Sequence, residues 1–207
     1  MFAALRHRRR SDRPDPLALD EQLPRFDAVV RRHAVVEAPP ERTYEAVVTA
    51  DLTESGPLVT ILNGLRFLPG WIRAIVRGEA PPIVDDRLTL GDLPSEGVWI
   101  RLAESPGKEI VFGAVGRVWK PDIEWATLEA EDFRTFDRPG YAKIAAAVSV
   151  RPYGDDRSLV SYEARTAGTD PMATRKFRRY WTVVEPFAGY VMARALRRMK
   201  AVAESAR

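Results

Sequence analysis

Three charged residues have types and a spacing that could do chemistry: Lys143, Glu163 and Arg165. They fall in two β-type segments, residues 141–150 and 158–166, which a short turn joins and which we expect to pair antiparallel. Because every second residue of a strand points to the same side, the three side chains would share one face of the pair. Inside an apolar pocket they could orient a carbonyl or a carboxylate, and a glutamate with a raised pKa could transfer protons.

The same three residues have a second interpretation. If they point to solvent, they form a cross-strand ion cluster that contributes roughly 0.2 to 1 kcal/mol per pair. Both interpretations stay open at this level, so no catalytic residue is assigned. Two functions therefore remain open: a protein that only binds a ligand, and a cyclase-like or hydratase-like enzyme that uses Glu163, Lys143 or Arg165.

The motifs of several catalytic classes are absent. The sequence lacks GxGxxG, GxxxxGK[ST], HExxH and GxSxG, so nucleotide cradling, zincin chemistry and the α/β-hydrolase mechanism have no support. It also lacks Cys and has only two histidines, His7 and His33, and the acids between 122 and 132 fit no calcium-loop spacing. We therefore expect no metal and no cofactor, and we interpret His33 as a half-exposed strand residue.

The elements that must position these residues follow from apolar periodicity and from Pro and Gly. A strand over 28–38 ends at Pro39-Pro40, a helix continues to about 48, and helical stretches follow at 58–65 and 71–76. Residues 129–136 offer one or two helical turns. The remaining β-type segments predict antiparallel strands at 98–103, 110–119, 141–150 and 158–166.

The last element has the clearest signature. Asp170 can cap a helix, Pro171 suits its first position, and apolar residues recur at gaps of three and four from Phe177 to Val202. This pattern predicts one long amphipathic helix. Pro186 lies inside it and predicts a kink rather than an end, because the apolar stripe continues in phase.

This order of elements predicts an α+β fold: a curved antiparallel sheet around a long C-terminal helix, with two short helices after the first strand. The segments that are most informative within this order are APPERTYEAV (38–47), the hairpin 141–165 and the helix from 170. With them the chain resembles the START and Bet v 1-like helix-grip superfamily (SRPBCC), which includes polyketide cyclase-like and lipid-transfer proteins, over about residues 26–204. Three motifs are similar to a bacterial branch of it: PGYAKI (139–144), SYEART (161–166) and FRRYW (177–181).

The resemblance implies an apolar cavity between sheet and helix, but not a reaction, because such folds host binding proteins and enzymes alike. It implies a small hydrophobic or amphipathic ligand, such as a lipid, acyl or polyketide-like molecule. Aromatic residues on the elements around such a cavity would suit this ligand, although core packing explains any single one equally well. With the charged residues they make up the candidate ligand-binding set: Trp71, Phe112, Trp119, Tyr141, Lys143, Tyr162, Glu163, Arg165, Tyr180 and Trp181.

The charge is unevenly distributed along the 207 residues. Lys and Arg number 32 against 29 Asp and Glu, and the estimated pI is 9.3, but the excess lies in the first 13 residues and after residue 170. We interpret residues 1–25 as a mobile Arg-rich arm and 26–207 as the helix-grip domain. No nucleic acid is expected, whereas transient contact of the basic helix with an anionic membrane stays open. The chain has no secretory h-region and no apolar stretch of spanning length, which predicts a cytoplasmic protein and leaves its oligomeric state open.

Overall fold

The computed structural model describes residues 16–52, 89–92 and 98–205. In these residues an antiparallel sheet of six strands has the order β1-β6-β5-β3-β2, and β4 pairs with β3. The strands are β1 (Ala28–Val36), β2 (Ile100–Ser105), β3 (Glu109–Arg117), β4 (Glu124–Trp125), β5 (Ala142–Pro152) and β6 (Ser158–Gly168). The helices are α1 (Ala18–Gln22), α2 (Pro40–Thr49) and α3 (Pro171–Ser205), and a 3-10 turn covers Ala130–Asp132. The predicted α+β helix-grip fold is confirmed.

The long helix α3 begins as its sequence predicts. Asp170 accepts hydrogen bonds from the amides of Met172 and Ala173 at 2.7 and 2.9 Å, and the Ala173 amide is the main cause that lowers the pKa of this carboxyl. Pro171 occupies the first position, where a missing N–H leaves no intrahelical bond unmade. The helix is continuous through Pro186, as the unbroken apolar stripe indicates.

The sheet has a different cover on each face. Toward α2 and α3 it presents residues such as Ile110, Phe112 and Val148, which form a core with the C-terminal half of α3. Toward the opposite side it presents the alternate positions, and there Val111 and Ala145 pack with side chains from α1 and from the segment between β4 and β5. A strand residue on one face therefore packs against α2 and α3, and a residue on the other face packs against α1 and the segment between β4 and β5.

The segment before β1 belongs partly to the folded domain. Leu19 of α1 is fully buried against the sheet, and the amide of Ala18 donates to Glu109 Oε1 at 2.8 Å. This helix lies within residues 1–25, the expected mobile arm, so the arm does not extend to residue 25. Residues 1–15 lie outside the described residues.

Turns and short helices agree with the sequence where they can be compared. Gly107 and Gly154 have φ of 79° and 72° and close the β2–β3 and β5–β6 connections, which need the left-handed backbone that glycine adopts easily. The helix that the sequence predicts after the first strand, to about residue 48, is α2. The predicted helical stretches at 58–65 and 71–76, and with them Trp71, lie outside the described residues.

Candidate functional site

The space between the sheet and α3 is packed at its two ends. At the N-terminal end of α3, Phe177 is buried and stacks on Trp181 with ring centroids 5.5 Å apart, while Tyr180 lies 6.5 Å away. Trp119 and Ile144 complete this cluster from the sheet side. At the C-terminal end, the buried residues of α3 pack against β1, β3, β5, β6 and α2: Val191, Ala195, Leu196, Met199 and Ala203.

Between these ends the interior strands β5 and β6 present small side chains toward the helix, whereas Arg32 of the edge strand β1 reaches across to Gly189 of α3. Ala146 is the register partner of both Phe112 and Ala164, so all three share the helix-facing side. In the described part of the chain, Ala146 and Ala164 belong to neither packed end. Ala164 is in an interior strand of the sheet and is still partly exposed. We call this stretch between the two packed ends, with Ala146 and Ala164 on the sheet side, the alanine-floored gap.

Tyr162 brings a polar group to this gap. It precedes Ala164 by two residues on β6 and is paired in register with Val148, a residue of the helix-side core. Burial raises the pKa of its phenol to about 12. Among the described residues nothing hydrogen-bonds the hydroxyl, so it can still donate to and accept from a bound molecule. Burial also raises the pKa of Tyr180, on the helix.

Of the other aromatic candidates, Phe112 belongs to the helix-side core, whereas Tyr141 lies on the opposite face. Tyr141 packs edge-on against Phe136 at 5.6 Å, and the Arg117 guanidinium lies 4.7 Å from its ring. It therefore does not line the gap. Nor do the strand glycines leave space there, because Gly113 shares the opposite face with its register partner Ala145, and a Cβ on Gly116 would lie 2.6 Å from Trp125 Cε3.

Lys143, Glu163 and Arg165 also lie on the face away from α3. Glu163 and Arg165 are paired in register with Ala147 and Ala145, two residues that pack with α1. Lys143 precedes Ala145 by two residues on β5 and shares that side. The structure thus keeps the three residues on one face, as alternation predicts, but separates them from the sheet–helix space.

Glu163 is the centre of an ion network. Arg31 contacts both of its carboxylate oxygens, with Nε 2.8 Å from Oε2 and Nη2 2.9 Å from Oε1. Arg165 Nε donates to Oε1 at 2.7 Å. Arg165 continues to Asp20 Oδ1 at 2.6 Å and to the Leu23 carbonyl at 3.2 Å. Burial acts to raise the pKa of Glu163, but the hydrogen bonds from the two arginines outweigh it and hold this pKa below the usual range.

Lys143 makes separate contacts. Its Nζ donates to the Arg134 carbonyl at 2.8 Å and lies 5.1 Å from the centre of the Phe133 ring. Burial lowers its pKa, although Asp137 acts in the opposite direction. Within the described ranges no ion pair joins Lys143 to Glu163. A carboxylate occupied by two arginines and ionised at neutral pH does not suit a general acid, so this arrangement does not favour acid–base chemistry.

A second concavity lies above this network, on the face away from α3. It has a volume of about 400 Å³. Its polar residues on β1, β5 and β6 were not among the sequence candidates, apart from Glu163 and Arg165. Period-two alternation places them on one side of each strand, but the pairing of β1 with β6 is long-range and no local pattern indicates it. The lining consists of Leu17, Leu19, Asp20, Arg31, His33, Ala147, Ser149, Arg151, Leu159, Ser161, Glu163 and Arg165.

Over the described residues, no three His, Cys, Asp or Glu side chains come close enough to hold a metal ion. No helix in the same ranges combines the length and the apolar character that crossing a membrane requires.

Comparison with known proteins finds likeness only among solved structures. No family model matches the chain, and no curated protein does. Protein MLL2253 from Mesorhizobium loti is 12% identical with a TM-score of 0.39, covering 87% of this chain and 99% of its own. Hypothetical protein jhp0584 from Helicobacter pylori is 12% identical with a TM-score of 0.38, covering 86% and 89%. CalU16 from Micromonospora echinospora is 14% identical with a TM-score of 0.26, covering 86% and 94%.

Proposed function

We propose that this protein binds a small hydrophobic or amphipathic molecule, such as a lipid, acyl or polyketide-like compound, between the sheet and α3. We also propose that it is a member of the START and Bet v 1-like superfamily that its sequence resembles. The observation that carries the binding proposal is the alanine-floored gap with Tyr162 beside it. The Tyr162 hydroxyl makes no hydrogen bond to a described residue, and a ligand carbonyl or hydroxyl would pair with it.

The surroundings of the gap support an apolar ligand. Ala146 and Ala164 are small, apolar register partners, and Tyr162 adds an aromatic ring. At the N-terminal end of α3, Tyr180 and Trp181 are partly buried, so their rings can contact a molecule beside the Phe177 cluster. The single unpaired hydroxyl would orient that molecule, and the apolar surface would supply the affinity.

The proposal is tested by filling the gap. The full chain is titrated with cis-parinaric acid, a fatty acid whose emission rises in apolar sites, and Ala164→Leu should abolish the rise without lowering the free energy of unfolding. In a closed core the same change would cost about 1–3 kcal/mol, as expected for the matched control Ala145→Leu on the packed opposite face. Unchanged probe binding by folded Ala164→Leu, or its destabilisation to the extent of the control, would refute the proposal.

A second proposal concerns the partner of the outer face of α3. Val183, Phe187 and Tyr190 are 68%, 54% and 44% exposed and lie three or four residues apart, which places them on one side of the helix. The same helical side continues into cationic residues at both ends: Lys176, Arg179, Arg194 and Arg197. An apolar centre with cationic ends fits the surface of an anionic bilayer, and we propose transient docking there.

Vesicle co-sedimentation tests this docking. The protein should sediment with vesicles that contain phosphatidylserine and not with pure phosphatidylcholine vesicles. Phe187→Ser should reduce the bound fraction several-fold, whereas Tyr153→Ser, at an exposed aromatic on the β5–β6 turn, should not. Equal binding to both vesicle types, or equal loss in both variants, would show that this face is not the docking surface.

A further inference from the structure

The concavity on the face away from α3 is built from cross-strand rows. One row runs from Arg31 through Glu163 to Ala147, and the next from His33 through Ser161 to Ser149. A third continues from Leu159 to Arg151. Helix α1 closes one side with Leu17, Leu19 and Asp20. The floor is therefore rigid sheet, and its side chains converge from three strands and a helix.

The carboxylates of this concavity are already neutralised. Glu163 is held by Arg31 and Arg165, and Asp20 by Arg165. Glu109, the register partner of Ser149, does not line the concavity. Its Oε1 accepts the Ala18 amide, and its buried Oε2 has no hydrogen-bond partner among the described residues. Three arginines against two carboxylates leave one positive charge.

That charge is accompanied by unused hydrogen-bond donors. Over residues 16–52, 89–92 and 98–205, the Arg151 guanidinium has neither an ion pair nor a hydrogen bond. Ser149 is only 4% exposed, and its hydroxyl likewise has no partner in those ranges. His33 uses Nδ1 in a 2.8 Å hydrogen bond with Ser161 Oγ, which leaves Nε2 available. Of these three residues only Ser149 is buried, and buried polar groups are rarely left unpaired. Its hydroxyl and the partly exposed Arg151 guanidinium beside it therefore indicate what the concavity accepts.

We propose that this concavity binds a small organic anion, a carboxylate or phosphate monoester that carries a short apolar chain. Arg151, Ser149 and His33 contact the anionic group, because they are the groups there with unused hydrogen-bonding capacity. Leu17 and Leu159, the partly exposed apolar residues of the lining, contact the chain. The volume of about 400 Å³ is in the range of small-molecule sites. The sheet separates this concavity from the space between the sheet and α3. Anion binding here is therefore independent of ligand binding there.

Calorimetric titration of the full chain tests the site with octanoate and octyl phosphate, with octanol as the neutral control and inorganic phosphate as the control without a chain. The two amphipathic anions should bind, and the controls much more weakly. Arg151→Gln should weaken binding at least tenfold and Ser149→Ala about threefold, because a charge-assisted hydrogen bond contributes more than a neutral one. The matched control Arg175→Gln removes one exposed charge from α3 and should change nothing.

Each other outcome would overturn the proposal. Octanol binding as tightly as octanoate would exclude an anion site, and inorganic phosphate binding as tightly as octyl phosphate would exclude the chain contact. Unchanged affinity in folded Arg151→Gln and Ser149→Ala would exclude these residues. Repeating the titrations with Ala164→Leu separates the two sites, because anion binding that this change abolishes belongs to the sheet–helix gap. If Arg151→Gln does not fold, Ser149→Ala, a smaller change, decides the outcome.

Discussion

Arg165 and Glu163 lie two residues apart on β6 and are joined by a 2.7 Å hydrogen bond on the face of the sheet away from α3. The Arg165 side chain is 7% exposed and also reaches Asp20 and the Leu23 carbonyl. This charged pair thus fastens α1 to the sheet and does not line the space under α3. The contribution of this pair can therefore be measured as a free energy of unfolding.

The first prediction concerns pH. Because the pKa of Glu163 is lowered in the folded state, its ionised form stabilises the protein fully above the ordinary glutamate pKa of about 4.3. This stabilisation is lost as the pH falls through the lower, folded pKa. Glu163→Gln should therefore reduce the free energy of unfolding by about 2 kcal/mol at pH 7, and the difference should shrink below pH 4. Urea unfolding across this pH range measures both effects.

The control for this experiment is Glu129→Gln, which removes an exposed carboxylate from another part of the chain. It should leave the Glu163 contribution in place. The network would be contradicted if the free energies of unfolding of Glu163→Gln and the wild type differed by the same amount from pH 7 to pH 3.

A second prediction compares two tyrosine hydroxyls. Tyr44 donates to Glu104 Oε1 at 2.9 Å, and burial followed by this hydrogen bond raises its pKa. Tyr44→Phe should therefore destabilise the protein by about 1–2 kcal/mol. Tyr162→Phe, which loses no hydrogen bond to a described residue, should remain within about 0.5 kcal/mol of the wild type and should weaken probe binding in the gap. Thermal unfolding of both variants distinguishes them, and the reverse order would contradict the assigned partners.

The third prediction tests whether α1 belongs to the domain. Leu19 is fully buried between α1 and the sheet, so Leu19→Ala should lower the free energy of unfolding by about 3 kcal/mol. Leu17→Ala removes the same number of atoms from a half-buried position and should cost less than half as much. Equal, small effects in denaturant unfolding would mean that α1 does not pack on the sheet.

The fourth prediction uses two glycines with different neighbours. A Cβ at Gly168 would lie 2.5 Å from the Thr174 backbone nitrogen, which cannot move away, so Gly168→Ala should cost about 1–3 kcal/mol. A Cβ at Gly189 would meet the end of the Arg32 side chain, with Cζ at 2.9 Å, and that side chain can rotate away. Alanine also favours helix by up to about 1 kcal/mol, so Gly189→Ala should be neutral or stabilising. A larger loss for Gly189→Ala in thermal unfolding would contradict this geometry.

Local patterns account for much of the fold. The Asp170-Pro171 start and the apolar gaps of three and four predict α3, and the structure extends it only from about Val202 to Ser205. Alternation and glycine turns likewise predict β5 and β6 to within about two residues. These signals are reliable because capping and strand alternation depend on neighbours in the chain. The absence of apolar periodicity before residue 26 was misleading, because α1 contributes only a few buried side chains.

The sequence by itself determined that Lys143, Glu163 and Arg165 share one face, because the side-chain period of a strand is two. It did not determine which face, because either side of an isolated hairpin can become the inner one. Only the tertiary structure decided this: α3 covers one side, and α1 with the segment before β5 covers the other. The same long-range pairing of β1 with β6 brings Arg31 and His33 beside Glu163 and Ser161. Contacts between residues more than a hundred positions apart depend on how the whole chain packs, which no local pattern specifies.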